Sequence, residues 1–202
     1  MHRFSTRTVL AIASAALAAM LLVVGGLLLW GSAYVHNTVQ GQLAAQQITF
    51  PPAAAFAHPK AGSEITPNMI PSVSQYAGQQ LLTGQQAEAY ADHFIAVHIT
   101  DMAGGKTYSQ LSAAALAQPD NTQLAGQVAT VFKGETLRSM LLNAYGWWKV
   151  SQIAYVISLV AFGLGTVAGL GSIFLFATGR RGKGDAPLPP AGHETISPVQ
   201  TA

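Results

Sequence analysis

Two long uncharged runs restrict this chain more than any other feature. Residues 9–29 contain no charge and no proline, and residues 153–177 contain no charge. An α-helix rises about 1.5 Å per residue and a hydrocarbon core is about 30 Å thick, so roughly 20 apolar residues suffice to cross it. Both runs meet that length. Backbone groups in lipid must satisfy one another, so each run is predicted to be a helix. Composition agrees: of 202 residues, 50% are hydrophobic and only 9% charged, against about 25% charged in ordinary soluble domains.

A cleavable secretory signal is the competing reading of the first run. Arg3 and Arg7 would form its basic end, and Gly31-Ser32-Ala33 offers small residues for cleavage. Apolar cores of such signals span about 7–15 residues, and this one is longer, so a retained anchor is expected. Lysine and arginine favour the cytoplasmic side near a span. Arg3 and Arg7 precede the first run, Arg180, Arg181 and Lys183 follow the second, and residues 31–59 carry no lysine or arginine. Lys133, Arg138 and Lys149 weaken the contrast, but long loops translocate largely regardless of charge. Both termini are therefore placed in the cytoplasm of a cell-membrane protein, with the 31–149 loop outside. Trp30, Tyr34, Tyr145, Trp147 and Trp148 flank the outer ends, where amphipathic rings settle.

The predicted fold is an all-α membrane protein, two transmembrane helices flanking a small helical extracytoplasmic domain. Residues 1–8 form the cytoplasmic N-terminus, 9–30 the first span, and 31–74 a helix extension with a Pro-rich connector. Residues 75–149 form the helical domain, 150–178 the second span and 179–202 a disordered, Gly- and Pro-rich tail. Within the loop, residues 37–47 continue the first helix. Pro51, Pro52, Pro59, Pro67 and Pro71 make residues 50–74 an extended connector. Thr83 and Gln86 match a capping box. Ala87, Tyr90, Ala91, Phe94 and His98 then recur at helical spacing and define one buried face. Further helices are predicted near 109–117, from Asn121 or Thr122 to about Lys133, and over 135–145.

Gly104-Gly105-Lys106-Thr107 raises the question of a phosphate loop. Such a loop needs G-x-x-x-x-G-K-[ST] leaving a strand. The first glycine position is Thr100, and the preceding stretch reads as helix. The glycines instead suit a helix end in the left-handed conformation, with Lys106 complementing the helix dipole and Thr107 or Ser109 starting the next helix. No nucleotide and no nucleic acid is expected as partner, since the formal charge is only +2.

Other chemistry is sparse. His93 and His98 lie five apart, about 140° around a helix, so they diverge and make no metal site. His98 is expected buried and hydrogen-bonded across the corner. Asp92, Asp101, Asp120, Glu64, Glu88 and Glu135 show no pairing in sequence. Glu135 and Arg138 are expected to pair on one helical face. No cysteine is present, so no thiolate metal site or disulfide is possible. No catalytic set, metal or cofactor is predicted.

His98, Gly104-Gly105-Lys106-Thr107-Tyr108 and the stretch from Phe132 through Arg138 to Tyr145 resemble an uncharacterised family of actinobacterial two-span membrane proteins. The resemblance covers about a quarter of the chain and implies membrane topology and the shape of the outer domain. Some members carry an aromatic ring-opening dioxygenase label; that chemistry needs an iron site, which these residues do not make.

Helix association in lipid depends on small residues. Ala11, Ala15 and Ala19 in the first span and Ala161, Gly165 and Gly169 in the second lie at four-residue spacing and are expected to pack the helices. The function expected is a non-enzymatic accessory, scaffold or interaction subunit, with the bilayer and another membrane protein or a second copy as partners. Its alternative is an extracytoplasmic sensor or small-ligand binder centred on His98, Lys106 and Tyr108, with Glu135 and Arg138 as further contacts. A homo-oligomeric pore fits less well, because the first span offers no polar side chain beyond Ser14.

Overall fold

The computed structural model describes residues 6–59 and 64–181, and among these no strand occurs. In chain order the elements are α1 (Thr6–Ala45), α2 (Ala53–Ala57), α3 (Ile70–Val73) continued by a 3₁₀ turn (Ser74–Tyr76), and α4 (Gly84–Tyr90). A π-helical turn (Ala91–Ile95) leads into α5 (Ala96–Met102), followed by α6 (Tyr108–Leu116) and α7 (Thr122–Arg181). α1 and α7 are both long and apolar enough to cross a membrane. Only 11% and 17% of their most apolar windows are buried, which is unlike the core helix of a soluble protein. Arg3 and most of the predicted tail lie outside the described residues; residues 179–181 continue α7.

α1 includes the polar extension expected of residues 37–45 and then stops sharply. Gln47 takes φ of 54°, and the Gln46 and Gln47 amides donate to the Leu43 and Ala44 carbonyls. The Gln80 side chain caps the same end, donating to Ala44 O at 3.2 Å. The chain leaves extended, with Phe50 N and Leu81 N donating across to Gln79 O and Ile48 O at 2.9 and 2.8 Å.

Residues 50–74 are not the extended connector the prolines imply. Pro52 is the N-cap of α2, and Pro71 lies in the first turn of α3, positions where a missing N–H costs nothing. Phe50, Phe56, Met69 and Val73 from this segment are buried in the main core. A second correction concerns α7. Gly134 does not end a helix; 60 residues run without interruption. A Cβ at Gly134 would stand 2.8 Å from Ile99 Cγ1, so this glycine permits a close approach of α5 to α7.

By contact density the chain forms two compact units. One combines segments within Met1–Val24 and Ala161–Ala202, and the other is Gly25–Val160. In the first, Ala11, Ala18, Ala161, Gly165 and Ser172 are buried, and Ser172 Oγ donates to Ala11 O at 2.8 Å. Gly169 also belongs to this contact, its Cβ position lying 3.7 Å from Ala18 Cβ. Ala15 and Ala19, expected in the same stripe, are exposed. The reason is periodic. Covered positions on α1 recur at 11, 14, 18 and 21, the alternating three- and four-residue steps of a left-handed supercoiled seam. A strict four-residue file drifts about 40° per step away from such a seam.

The second unit holds the main core. α4 opens with the predicted capping box: Thr83 Oγ1 accepts from Gln86 N, and Gln86 Oε1 accepts from Thr83 N. Ala87, Ala91 and Phe94 are buried as predicted, while Tyr90 and His98 are half-buried. The π turn shifts the register, so that Ile95 and Ile99 also face inward. Tyr90 packs between Phe50 and Phe94, with ring centroids 5.4 and 4.7 Å away. Burial, and then the nearby Glu64 carboxylate, hold its phenol above the ordinary value of 10.0. The folded state therefore keeps its Tyr90 proton at pH values where an unfolded chain loses it. Stability is unaffected below pH 10.0 on this account, and falls as pH rises through the folded value. Denaturant titrations across alkaline pH should show the loss, and Tyr90→Phe should lessen it.

Candidate functional site

The corner around His98 is built by backbone hydrogen bonds. Gly104 and Gly105 take φ of 57° and 77°, a region where only glycine is unstrained. Their amides donate to Asp101 O and Thr100 O, and Lys106 N donates to Ala103 O. Those are the N–H groups that a phosphate loop would turn toward its ligand, and each is engaged within the chain. Thr107 caps α6 through a second capping box with Gln110, so the stretch is a helix–helix corner.

His98 pairs edge-on with Phe94, ring centroids 4.6 Å apart. Its Nδ1 lies 2.8 Å from Phe94 O, one turn back on its own helix rather than across the corner. Its Nε2 is buried without a partner among the described residues. Lys106 is exposed. Tyr108 is 38% exposed and lies against Phe132, centroids 5.6 Å apart. The structure thus turns Tyr108 toward α7.

Arg138 forms the principal charged contact. It donates to Asp92 Oδ1 at 2.8 Å and approaches Glu135 at 3.6 Å. The Glu135 pairing follows from spacing along one helix. Asp92 is 46 positions away and no sequence signal joins it to Arg138; the π turn carries it there. The Asp92 hydrogen bond, foremost, raises the Arg138 guanidinium above its usual range. With both side chains about one-third exposed, such a pair contributes at most about 1 kcal/mol. It orients α4–α5 on α7 more than it stabilises them.

Two cavities lie elsewhere in this unit. One, of about 570 Å³, runs between the end of α1 and the middle of α7, with Thr38, Gln42, Leu141, Asn143 and Trp147 among its walls. The other, of about 650 Å³, is lined by residues including Ser32, His36, Asn37, Gln152 and Tyr155. Beside the second, Ser32 Oγ donates to Ser151 O and Ser151 Oγ to Trp148 O, both at 2.7 Å. His36 packs against Trp148, centroids 3.9 Å apart and ring planes tilted by 36°. Neither cavity is lined by His98, Lys106, Tyr108, Glu135 or Arg138. No family model, curated protein or solved structure matches the chain.

Sequence reasoning missed the polar cluster around Ser32 and His36. The signal was available: polar residues sit at the end of an apolar run beside tryptophan and tyrosine, where an unpaired donor is costly.

Proposed function

We propose that this chain is an integral membrane protein acting as a non-enzymatic interaction subunit. α1 and α7 cross the cell membrane, both termini are cytoplasmic, and the 31–149 region stands outside. Kinship with the actinobacterial two-span family belongs to the same proposal, supported by the corner and α7 residues that carry the resemblance. The observation behind the interaction role is an uncovered aromatic contact on the outer domain. Tyr108 and Phe132 lie together, and Phe132 is 55% exposed, with Met102 and Leu116 also solvent-facing. Exposed apolar groups of this kind commonly mark partner surfaces. Ala15 and Ala19, left uncovered on α1, offer a second approach for another membrane helix or a second copy.

A photocrosslinker introduced at Phe132 in native membranes should give one discrete adduct, absent when it is placed at Ala113. Tyr108→Ser should weaken that adduct. A chain that stays monomeric and uncrosslinked at both positions would contradict the proposal. The ligand-binding alternative has two atoms in its favour, Nε2 of His98 and Nε of Arg138, both buried without a partner among the described residues.

A further inference from the structure

We propose that the groove between the outer part of α1 and α7 is the surface through which two copies of this chain pair. This pairing rests on the membrane placement proposed above.

Both walls of the groove lack charge. Residues 31–45 and 139–148 contain no aspartate, glutamate, lysine or arginine, although a helix face turned to water ordinarily carries them. The helices run antiparallel here, since Ser32 bonds to Ser151 and His36 meets Trp148. Leu43 and Leu141 line the groove and also belong to the main core. Met140, Asn143 and Trp147 line it from α7, and all three are exposed. They follow one another by three and four residues, the steps of a helix–helix seam. The bilayer accounts for Trp147, whose ring suits headgroup depth. It does not account for Met140, which is 63% exposed and stands seven residues farther out, about 10 Å along α7.

The chemistry of the groove selects a second copy as its occupant. Gln42 and Asn143 line it, and neither forms a side-chain hydrogen bond among the described residues. Each amide carries both donors and an acceptor, so this surface complements itself. A charged partner finds no counter-charge in the groove, whereas an identical surface meets no like charge. Membrane insertion supplies the symmetry. Copies in one bilayer share one orientation, so a two-fold axis relating them runs along the membrane normal. Each residue then meets its own level on the other copy. Trp147 lies at headgroup depth, and Asn143 stands about 6 Å farther out. One asparagine in an otherwise apolar seam fixes register and partner number, and Asn143 holds that position. The exposed edge of α7 in each copy fills the groove of the other.

The test uses the full chain in native membranes, with one cysteine introduced at a time and a short bis-maleimide as crosslinker. No native cysteine competes. Met140→Cys and Asn143→Cys should each give a covalent dimer that mass spectrometry identifies as two copies of this chain. Lys149→Cys is also exposed but lies about 120° from Asn143 around α7, and it should stay monomeric. In a second arm, Met140→Glu sets two carboxylates on the shared surface. Dimerisation, read by dilution in dodecylmaltoside micelles, should weaken by more than about tenfold; Met140→Leu and Lys149→Glu should leave it unchanged. Equal dimer yields at Lys149→Cys and Met140→Cys, a Met140→Cys adduct with a different protein, or dimers indifferent to Met140→Glu would overturn the proposal. So would dimers that close through Ala15→Cys instead. If these arms fail while the Phe132 photocrosslinker still yields its adduct, the groove is refuted and the interaction role stands.

Discussion

Replacing Gly84 with alanine is expected to destabilise the helical unit by about 1–3 kcal/mol, the usual cost of forcing one extra carbon into a filled core. A Cβ at this position would lie 2.4 Å from both Cβ and Cγ of Trp148. Trp148 Cβ is fixed by the α7 backbone, so rotating the ring away would leave that contact in place. Gly84 is also held from its own side, because Thr83 and Gln86 lock the first turn of α4 in a capping box. Trp148 is 5% exposed and packed against the tilted ring of His36, so neither partner has room to retreat. Gly134→Ala supplies the contrast. There the nearest atoms are Ile99 Cγ1 and Cδ1, at 2.8 and 3.0 Å, on a buried β-branched side chain that can yield only by a rotamer change or a small shift. Alanine gains about 1 kcal/mol of helix propensity over glycine, which offsets part of that strain, so Gly134→Ala should cost less than Gly84→Ala. Denaturant unfolding of the two variants in mild detergent separates them. Equal stabilities would mean that α4 does not rest on Trp148.

A cysteine pair at Ala18 and Gly169 is expected to oxidise to near completion. The chain contains no native cysteine, so any disulfide reports the engineered pair alone. The Cβ position of Gly169 lies 3.7 Å from Ala18 Cβ, and disulfides join Cβ atoms about 3.8 Å apart. Ala15→Cys with Gly169→Cys should not close, because Ala15 faces away from α7. The comparison decides between a seam with alternating three- and four-residue steps and the four-residue alanine file. Gly165→Leu should lower the yield of the Ala18–Gly169 bond, since a Cβ there already meets Leu22 at 3.2 Å. Closure through Ala15 in preference to Ala18 would overturn the packing described for the first unit.

Local chemistry was readable from sequence wherever partners are near in the chain. The capping box at Thr83, the left-handed glycines at the corner and the Glu135–Arg138 pair each depend on residues within three or four positions. The apolar runs were readable because length and absence of charge are properties of single segments. Gly165 and Gly169 approach Leu22 and Ala18 of α1, whereas Ala15 and Ala19 are exposed. Helix one is almost uniformly apolar, and nothing in a uniform helix distinguishes one face from another. The prolines of residues 50–74 imply breaks by their missing amides, but Pro52 and Pro71 sit at helix starts, where no amide is needed. Asp92 meeting Arg138, Gly84 meeting Trp148 and Ser32 meeting Ser151 all depend on how distant segments converge, and no local pattern contains that information.

In the proposed arrangement α1 and α7 cross a membrane and the region between them stands on its outer side. With no cysteine in the natural chain, single substitutions can be labelled in intact cells by a membrane-impermeant maleimide. Gln118→Cys, in the exposed turn between α6 and α7, should label readily before permeabilisation. Thr201→Cys should label only after it. Protection of Gln118→Cys in intact cells, with labelling of Thr201→Cys, would invert the arrangement; protection of both until lysis would place the whole chain inside.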